Sequence, residues 1–315
     1  MNRRWSLISF LTVLLCNLAV AQSIPQSSRR AKEGLDSYSF LPIEVPNGQG
    51  ALGFTSLQGI NDRSEIVGGF VVGESLGFVI SRGEITRTGC PGAIFTALLG
   101  INNSGAMAGS CYDGTNHAFF RNQAGQYTLI NVPGAIITQG RSLNDRNQVV
   151  GYYLDQNENQ HGFVWEKEAF VTFDLPDLGN VISYPLGINN RGQIAGTFTQ
   201  SPCNCNERGF LLSDDRLTVI DFPGATATIV NGINDEGDIV GTYVDRNEKH
   251  HGFVLDNGDF KTLDVPFAGI DFTEAYAINN RGEIVGRYLK DGPIYNFGFI
   301  ATSTGPHVTS KNSFR

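Results

Sequence analysis

The residues with the most evident capacity for chemistry in this 315-residue chain are three histidines, two acidic loops and four cysteines beyond the leader. His117, His161 and His251 each stand two residues before a phenylalanine, and His250 precedes the last of them. Imidazole titrates near neutrality and serves as base, acid or metal ligand. Its plainer duty here is a hydrogen bond to a neighbouring loop. The loops Asp155-Gln156-Asn157-Glu158-Asn159 and Asp245-Arg246-Asn247-Glu248 alternate oxygen-bearing side chains, as a calcium loop does. They lack the glycine and the distant bidentate glutamate of an EF-hand, so solvated turns are the simpler account. Cys203-Asn204-Cys205 looks like half a zinc ligand set. The spacing is tighter than the usual two-residue gap and no histidine lies near, which favours disulfides or free thiols.

Those groups need a scaffold, and composition limits which one. Glycine numbers 38 residues, charged residues make up only 17%, and hydrophobic residues make up 41% with 21 Phe. Long solvated helices, coiled coils and disorder are all disfavoured by that balance. A net charge of −8 gives no attraction to nucleic acid or to an anionic membrane surface. Arg3 and Arg4, the apolar run Leu7 to Leu15 and Ala19-Val20-Ala21 follow the order of a secretory signal peptide over residues 1–21. Leu15 is too bulky beside Cys16 for lipoprotein processing. The expected product is a soluble, secreted or periplasmic monomer without membrane insertion. A polar linker spans 22–38 and a polar tail spans 302–315. Export to an oxidising compartment permits disulfides among Cys90, Cys111, Cys203 and Cys205.

Repetition dominates the rest. Six segments share one pattern: GINDRSEIVG, GINNSGAMAG, SLNDRNQVVG, GINNRGQIAG, GINDEGDIVG and AINNRGEIVG. Their anchor asparagines are Asn61, Asn102, Asn144, Asn189, Asn234 and Asn279. After each comes an aromatic-centred segment such as HAFF, HGFVW or RGFLL, and after five of them a segment ending in proline such as YTLINVP. Short alternating runs bounded by Gly, Asn and Asp are strands, and four strands per repeat of this length form a propeller blade. The Asn-(Asp/Asn)-x-Gly tetrad is a hairpin turn, with glycine at a left-handed position. Only five proline-ended strands follow third strands; a sixth copy, Ser39 to Pro46, stands ahead of the first unit. The chain is therefore expected to be an all-β, six-bladed β-propeller over 39–301, closed by an N-terminal strand that completes the last blade.

The motif His117-Ala118-Phe119 and its relatives resemble the bacterial extracellular repeat family named for His-Ala-Phe, the HAF repeats. The resemblance covers roughly 39–301 and implies secretion and repeat architecture. It supplies no catalytic residues.

On that scaffold, hydroxyls recur six residues before each anchor: Thr55, Thr96, Thr138, Ser183, Thr228 and Thr273. They are expected to satisfy backbone groups in tight turns. Recognition belongs where the repeats differ. Five and three residues before the anchors the chain varies most, and Arg141, Tyr184, Asn231, Glu274 and Tyr276 are the candidate ligand-binding residues, joined by His161 and His251. No catalytic constellation and no cofactor or metal set stands out. The leading expectation is a non-enzymatic binding or scaffold module for a saccharide, a peptide or an envelope protein. The alternative is a metal-dependent hydrolase or lyase in the central channel, using Asn231 and Glu274. Cys90 ends a fourth strand and Cys111 ends the next blade's second strand, so these two are expected to pair.

Overall fold

The computed structural model describes residues 38–46, 55–70, 76–176, 178–179, 181–200, 205–266, 272–290 and 295–304. Residues 1–37 and 305–315, which include the expected signal peptide, most of the linker and most of the tail, lie outside the described residues, as does Cys203. The described residues form six antiparallel sheets of four strands each, and contain no helix. Blade 1 runs Thr55–Ile60, Ile66–Phe70, Gly77–Ser81 and Glu84–Thr88. The first strands of all six blades contact one another in sequence, and the sixth returns to the first. They form the inner wall of a ring.

The ring closes as its strand arithmetic requires. Tyr38–Ile43 is the outermost strand of blade 6 and pairs antiparallel with Tyr295–Ser303, from Tyr38 opposite Ser303 to Ile43 opposite Gly298. An N-terminal strand and a C-terminal strand paired in one blade lock the ring closed.

Two motif residues explain how the blades pack. The phenylalanines Phe78, Phe119, Phe163, Phe210, Phe253 and Phe299, one from each third strand, are wholly buried. Each is matched across the ladder by the glycine of the Ile-Val-Gly motif; Gly241, for example, is paired with Phe253. A Cβ on Gly241 would come within 2.0 Å of the Ile229 carbonyl oxygen and 2.7 Å of the Phe253 ring. Blade 2 departs from the pattern with Ala118 where other third strands carry glycine. Blade 3 answers with Gly140, whose Cβ would lie 3.1 Å from that alanine methyl.

Five of the six recurring hydroxyls fasten one blade to the next. The backbone N–H groups of Val45, Cys90, Val132, Phe222 and Val265 donate to Oγ1 of Thr55, Thr96, Thr138, Thr228 and Thr273 at 2.9–3.2 Å. In five of the six blades the residue two past the fourth strand is thereby tied to the following inner strand. This is the backbone-satisfying role expected of them. Pro-Gly pairs make the intervening turns, with Gly92, Gly134 and Gly224 at φ near +80°.

Candidate functional site

One mouth of the ring is sealed by the tetrad turns. Each anchor asparagine is buried and uses its whole side chain. Asn189 accepts from the N–H groups of Arg191 and Gln193 and donates to Gln193 Oε1 at 2.8 Å and to the Asn234 carbonyl at 3.0 Å. That last bond crosses to the next blade. It recurs from Asn61 to Asn102, to Asn144, to Asn189, to Asn234, to Asn279 and back to Asn61, at 3.0–3.2 Å. The result is a closed circle of six carboxamide-to-carbonyl bonds.

A second circle lies beside it, built from the residue after each anchor. Around the ring these are Asp62, Asn103, Asp145, Asn190, Asp235 and Asn280. Each backbone N–H donates to the next side chain's Oδ1 at 2.7–2.8 Å. Each asparagine Nδ2 then donates to the Oδ2 atoms of both flanking aspartates, at 2.7–3.0 Å. An aspartate offers only acceptors and a carboxamide nitrogen only donors, so strict alternation lets every contact close. A depression of about 360 Å³, partly open to solvent, lies here and is lined by these turns and the Ile60-type residues before them. Its polar groups are already spent on one another.

Chemistry that breaks the repeat sits further along the inner strands. Every inner strand carries a β-bulge, and the extra residue is the one three before the anchor: Gln58, Leu99, Arg141, Leu186, Asn231 and Tyr276. A bulged residue leaves the ladder and its side chain can be re-aimed. The residues five before the anchors pair directly with the second strand, Gln139 opposite Tyr152 and Glu274 opposite Arg287. Sequence reasoning named Arg141, Tyr184, Glu274 and Tyr276 but missed Tyr152, Glu207, His250 and Arg287. Tyr152 and Arg287 hold the position after the Ile-Val-Gly glycine, where the six repeats read Gly69, Ser110, Tyr152, Thr197, Thr242 and Arg287. That variability was the available signal.

In blade 6 the carboxylate of Glu274, 9% exposed, takes Arg287 Nε at 2.6 Å and the Tyr276 hydroxyl on one oxygen. His250 Nδ1 stands 3.6 Å from the other. Burial opposes ionisation of Glu274, yet Arg287, His250 and Tyr276 outweigh it and hold its pKa down at about 2. The Arg287 guanidinium lies over the rings of Phe272 and Tyr276, and His250 stacks on Phe272 at 4.6 Å. In blade 3 Arg141 Nη2 donates to the Tyr152 hydroxyl at 3.3 Å, and that hydroxyl donates to Gln139 Oε1 at 2.8 Å. The Arg141 guanidinium lies 5.3 Å from the Tyr152 ring, which meets Tyr184 edge-on at 5.4 Å. Glu207 is an electrostatic neighbour of both clusters. Burial pushes its carboxyl upward, His250 opposes and Glu274 reinforces the rise. Both Glu207 and Arg141 are electrostatic neighbours of Tyr184.

The remaining candidates have partners within the fold. Asn231 Nδ2 donates to the Ala275 carbonyl at 2.8 Å, a tie between blades 5 and 6. His161 sits between Asp174, 2.8 Å from Nδ1, and Asp155, 3.6 Å from Nε2. His251 repeats the clamp with Asp264 and Asp245 at 3.0 and 3.8 Å, and Arg208 bonds Asp221 in blade 4. Asp155 and Asp245 fold their own loops: Asp155 Oδ1 accepts the N–H groups of Asn157 and Asn159, both at 2.8 Å. Its pKa falls to about 2, chiefly through the Asn159 N–H. Among the described residues no three of His, Cys, Asp and Glu are placed to share a metal ion.

Cys90 and Cys111 are buried together in the core between blades 1 and 2, as the sequence expectation required, but as two free thiols. They are in contact: the hydrogen bond to Cys111 holds the proton on Cys90 and shifts the Cys111 thiol down, with His117 assisting.

Among the described residues no helix is long and apolar enough to cross a membrane. No protein-family model matches the sequence, and no curated protein matches it either. Solved structures do share the shape. A putative TolB from Agrobacterium tumefaciens superposes with a TM-score of 0.54 at 11% identity, over 87% of this chain and 100% of that one. A gluconolactonase from Xanthomonas campestris gives 0.50 at 12% identity, over 87% and 99%. TolB from Acinetobacter baumannii gives 0.53 at 11% identity over 70% of this chain, which spans only 58% of that protein's length. At such identities the likeness establishes architecture alone: the chain is a six-bladed β-propeller.

Proposed function

We propose that this chain is an exported, non-enzymatic binding module of the HAF-repeat kind, whose ligand is a saccharide held by the side chains of blades 3 to 6 that break the repeat. One observation carries the reading. Six near-identical units need only geometry, yet blades 3 to 6 carry two half-buried clusters that break the repeat, Arg141 with Tyr152 and Tyr184, and Glu274 with Arg287, Tyr276 and His250, with Glu207 an electrostatic neighbour of both. Buried charge is weak currency for stability, since apolar replacements of similar volume often fold as well or better. Perturbed carboxyls grouped in this way mark functional sites. Glu274 Oε2 is taken by Arg287 and Tyr276, and the Asn231 amide nitrogen by a neighbouring carbonyl.

A glycan array probed with the purified chain tests the proposal, alongside metal analysis of the same preparation. Saccharide binding that Tyr184→Ala weakens by about tenfold or more supports it. Stoichiometric metal with hydrolytic turnover, or an array without signal, overturns it.

Export also bears on the thiol pair. In an oxidising compartment we expect Cys111 to attack a small-molecule disulfide such as oxidised glutathione, releasing one thiol and forming a mixed disulfide. Cys90 then attacks the Cys111 sulfur, releases the second thiol and leaves the Cys90–Cys111 bond. Intact-mass and peptide mapping of exported protein should show that link and the loss of two hydrogens. Two alkylatable thiols after export, or a bond from Cys90 to Cys203, would contradict it.

A further inference from the structure

We propose, building on the binding reading above, that the saccharide carries a carboxylate and that Arg141 receives it; the ligand class is a uronic-acid sugar. The contrast with other arginines points there. Arg287 has Glu274, Arg208 has Asp221, Arg63 has Glu65 and Arg281 has Glu283. Among the described residues Arg141 meets no carboxylate. Its Nη2 reaches only a phenol, and its Nε is buried without a hydrogen-bond partner. A desolvated guanidinium nitrogen left unpaired is costly, and a bound anion removes that cost. Arg121 shares the unpaired Nε, but it sits on a third strand over the Tyr127 ring, away from the inner wall.

Arg141 is also presented for the purpose. It is the bulge residue of its strand, outside the ladder, with its guanidinium laid against the Tyr152 ring. That ring and Tyr184 provide aromatic surface of the sort that packs on the C–H faces of a sugar. Gln139, whose Oε1 accepts the Tyr152 hydroxyl, and the carboxyl of Glu207 suit sugar hydroxyls. The ionised Glu274 across the group disfavours a doubly charged phosphate, whereas a singly charged carboxylate can sit at Arg141 with less repulsion.

Calorimetric titration of the whole chain with methyl glucuronide and methyl galacturonide, with the matching neutral glycosides, and with acetate and succinate tests this. Uronides should bind at least about tenfold more tightly than neutral sugars, and Arg141→Gln should erase the preference with a loss of about 10–100-fold. Arg141→Lys should recover only part of it, since an ammonium lacks the planar fork. Tyr152→Phe keeps the ring while removing the hydroxyl that steadies Nη2; it provides a milder variant should the arginine changes impair folding, and it should also weaken uronide binding. Neutral sugars bound as well as uronides, and unaffected by Arg141→Gln, would overturn the carboxylate while leaving the binding module intact. Acetate or succinate bound as tightly as uronides would overturn the sugar. No binding of any sugar, with a silent array, would end both readings.

Discussion

Replacing Asn189 by alanine is expected to destabilise the propeller by about 4 kcal/mol, because four hydrogen bonds vanish and buried partners are stranded. The Arg191 and Gln193 N–H groups lose their acceptor, and the Asn234 carbonyl loses its donor from the neighbouring blade. For a domain of this size the melting temperature should fall by about 8 °C or more. Asn189→Asp should cost a similar amount: it preserves shape and acceptors but gives up both donors and sets a buried charge against a carbonyl. Since the circle has no end, equivalent changes at Asn61, Asn102, Asn144, Asn234 or Asn279 should cost nearly the same. Calorimetric melts of the six alanine variants test this. A set scattered from zero upward, or an Asn189→Ala loss below about 1 kcal/mol, would refute a circle of shared bonds.

The second circle predicts something less ordinary. Asn190→Asp should cost about 2 kcal/mol at low salt, because three consecutive carboxylates then face one another and two donated bonds are lost. The penalty should shrink in high salt, as these positions are partly exposed. Asp145→Asn should also destabilise, since three adjacent carboxamides would have no acceptor between them. Exchanging all six residues at once, Asp for Asn and Asn for Asp, should restore stability to within about 1 kcal/mol of the natural chain, far from the sum of the singles. The exchanged ring has every donor again facing an acceptor, shifted by one blade. Denaturant titration of the singles and the sextuple variant decides it, and additive losses would show that the alternation carries no energy.

Much of this architecture could be read before any coordinates. Asn-Gly turns, the Ile-Val-Gly and Gly-Phe pairs and the displaced copy at Ser39 to Pro46 are local signals whose meaning does not depend on distant partners. The inner bulges were not readable, because an extra residue shows only against the register of its partner strand. Glu274 was singled out as variable, but its salt bridge to Arg287 follows from a pairing thirteen residues away, and its contact with His250 crosses from another blade. Arg141 and Tyr184 were legible as departures from the repeat. Their joint use of Tyr152 was not. Asn231, His161 and His251 stood out in the sequence as polar positions, but their partners, the Ala275 carbonyl and the loop aspartates, come from other strands and could not be read there. The alternation of Asp and Asn stood in plain view in the six turns, yet it acquires meaning only when the sixth turn meets the first.

That meeting restricts how the gene can grow or shrink. A circle whose members come in two complementary kinds can be coloured consistently only if the number of members is even. Duplicating or deleting a single repeat would leave one seam where like faces like, two carboxylates repelling or two amides with nothing to accept their protons. Whole pairs of repeats can be added or lost without that conflict, so descendants of this molecule should change their petal number in steps of two, or recode every second turn on the way.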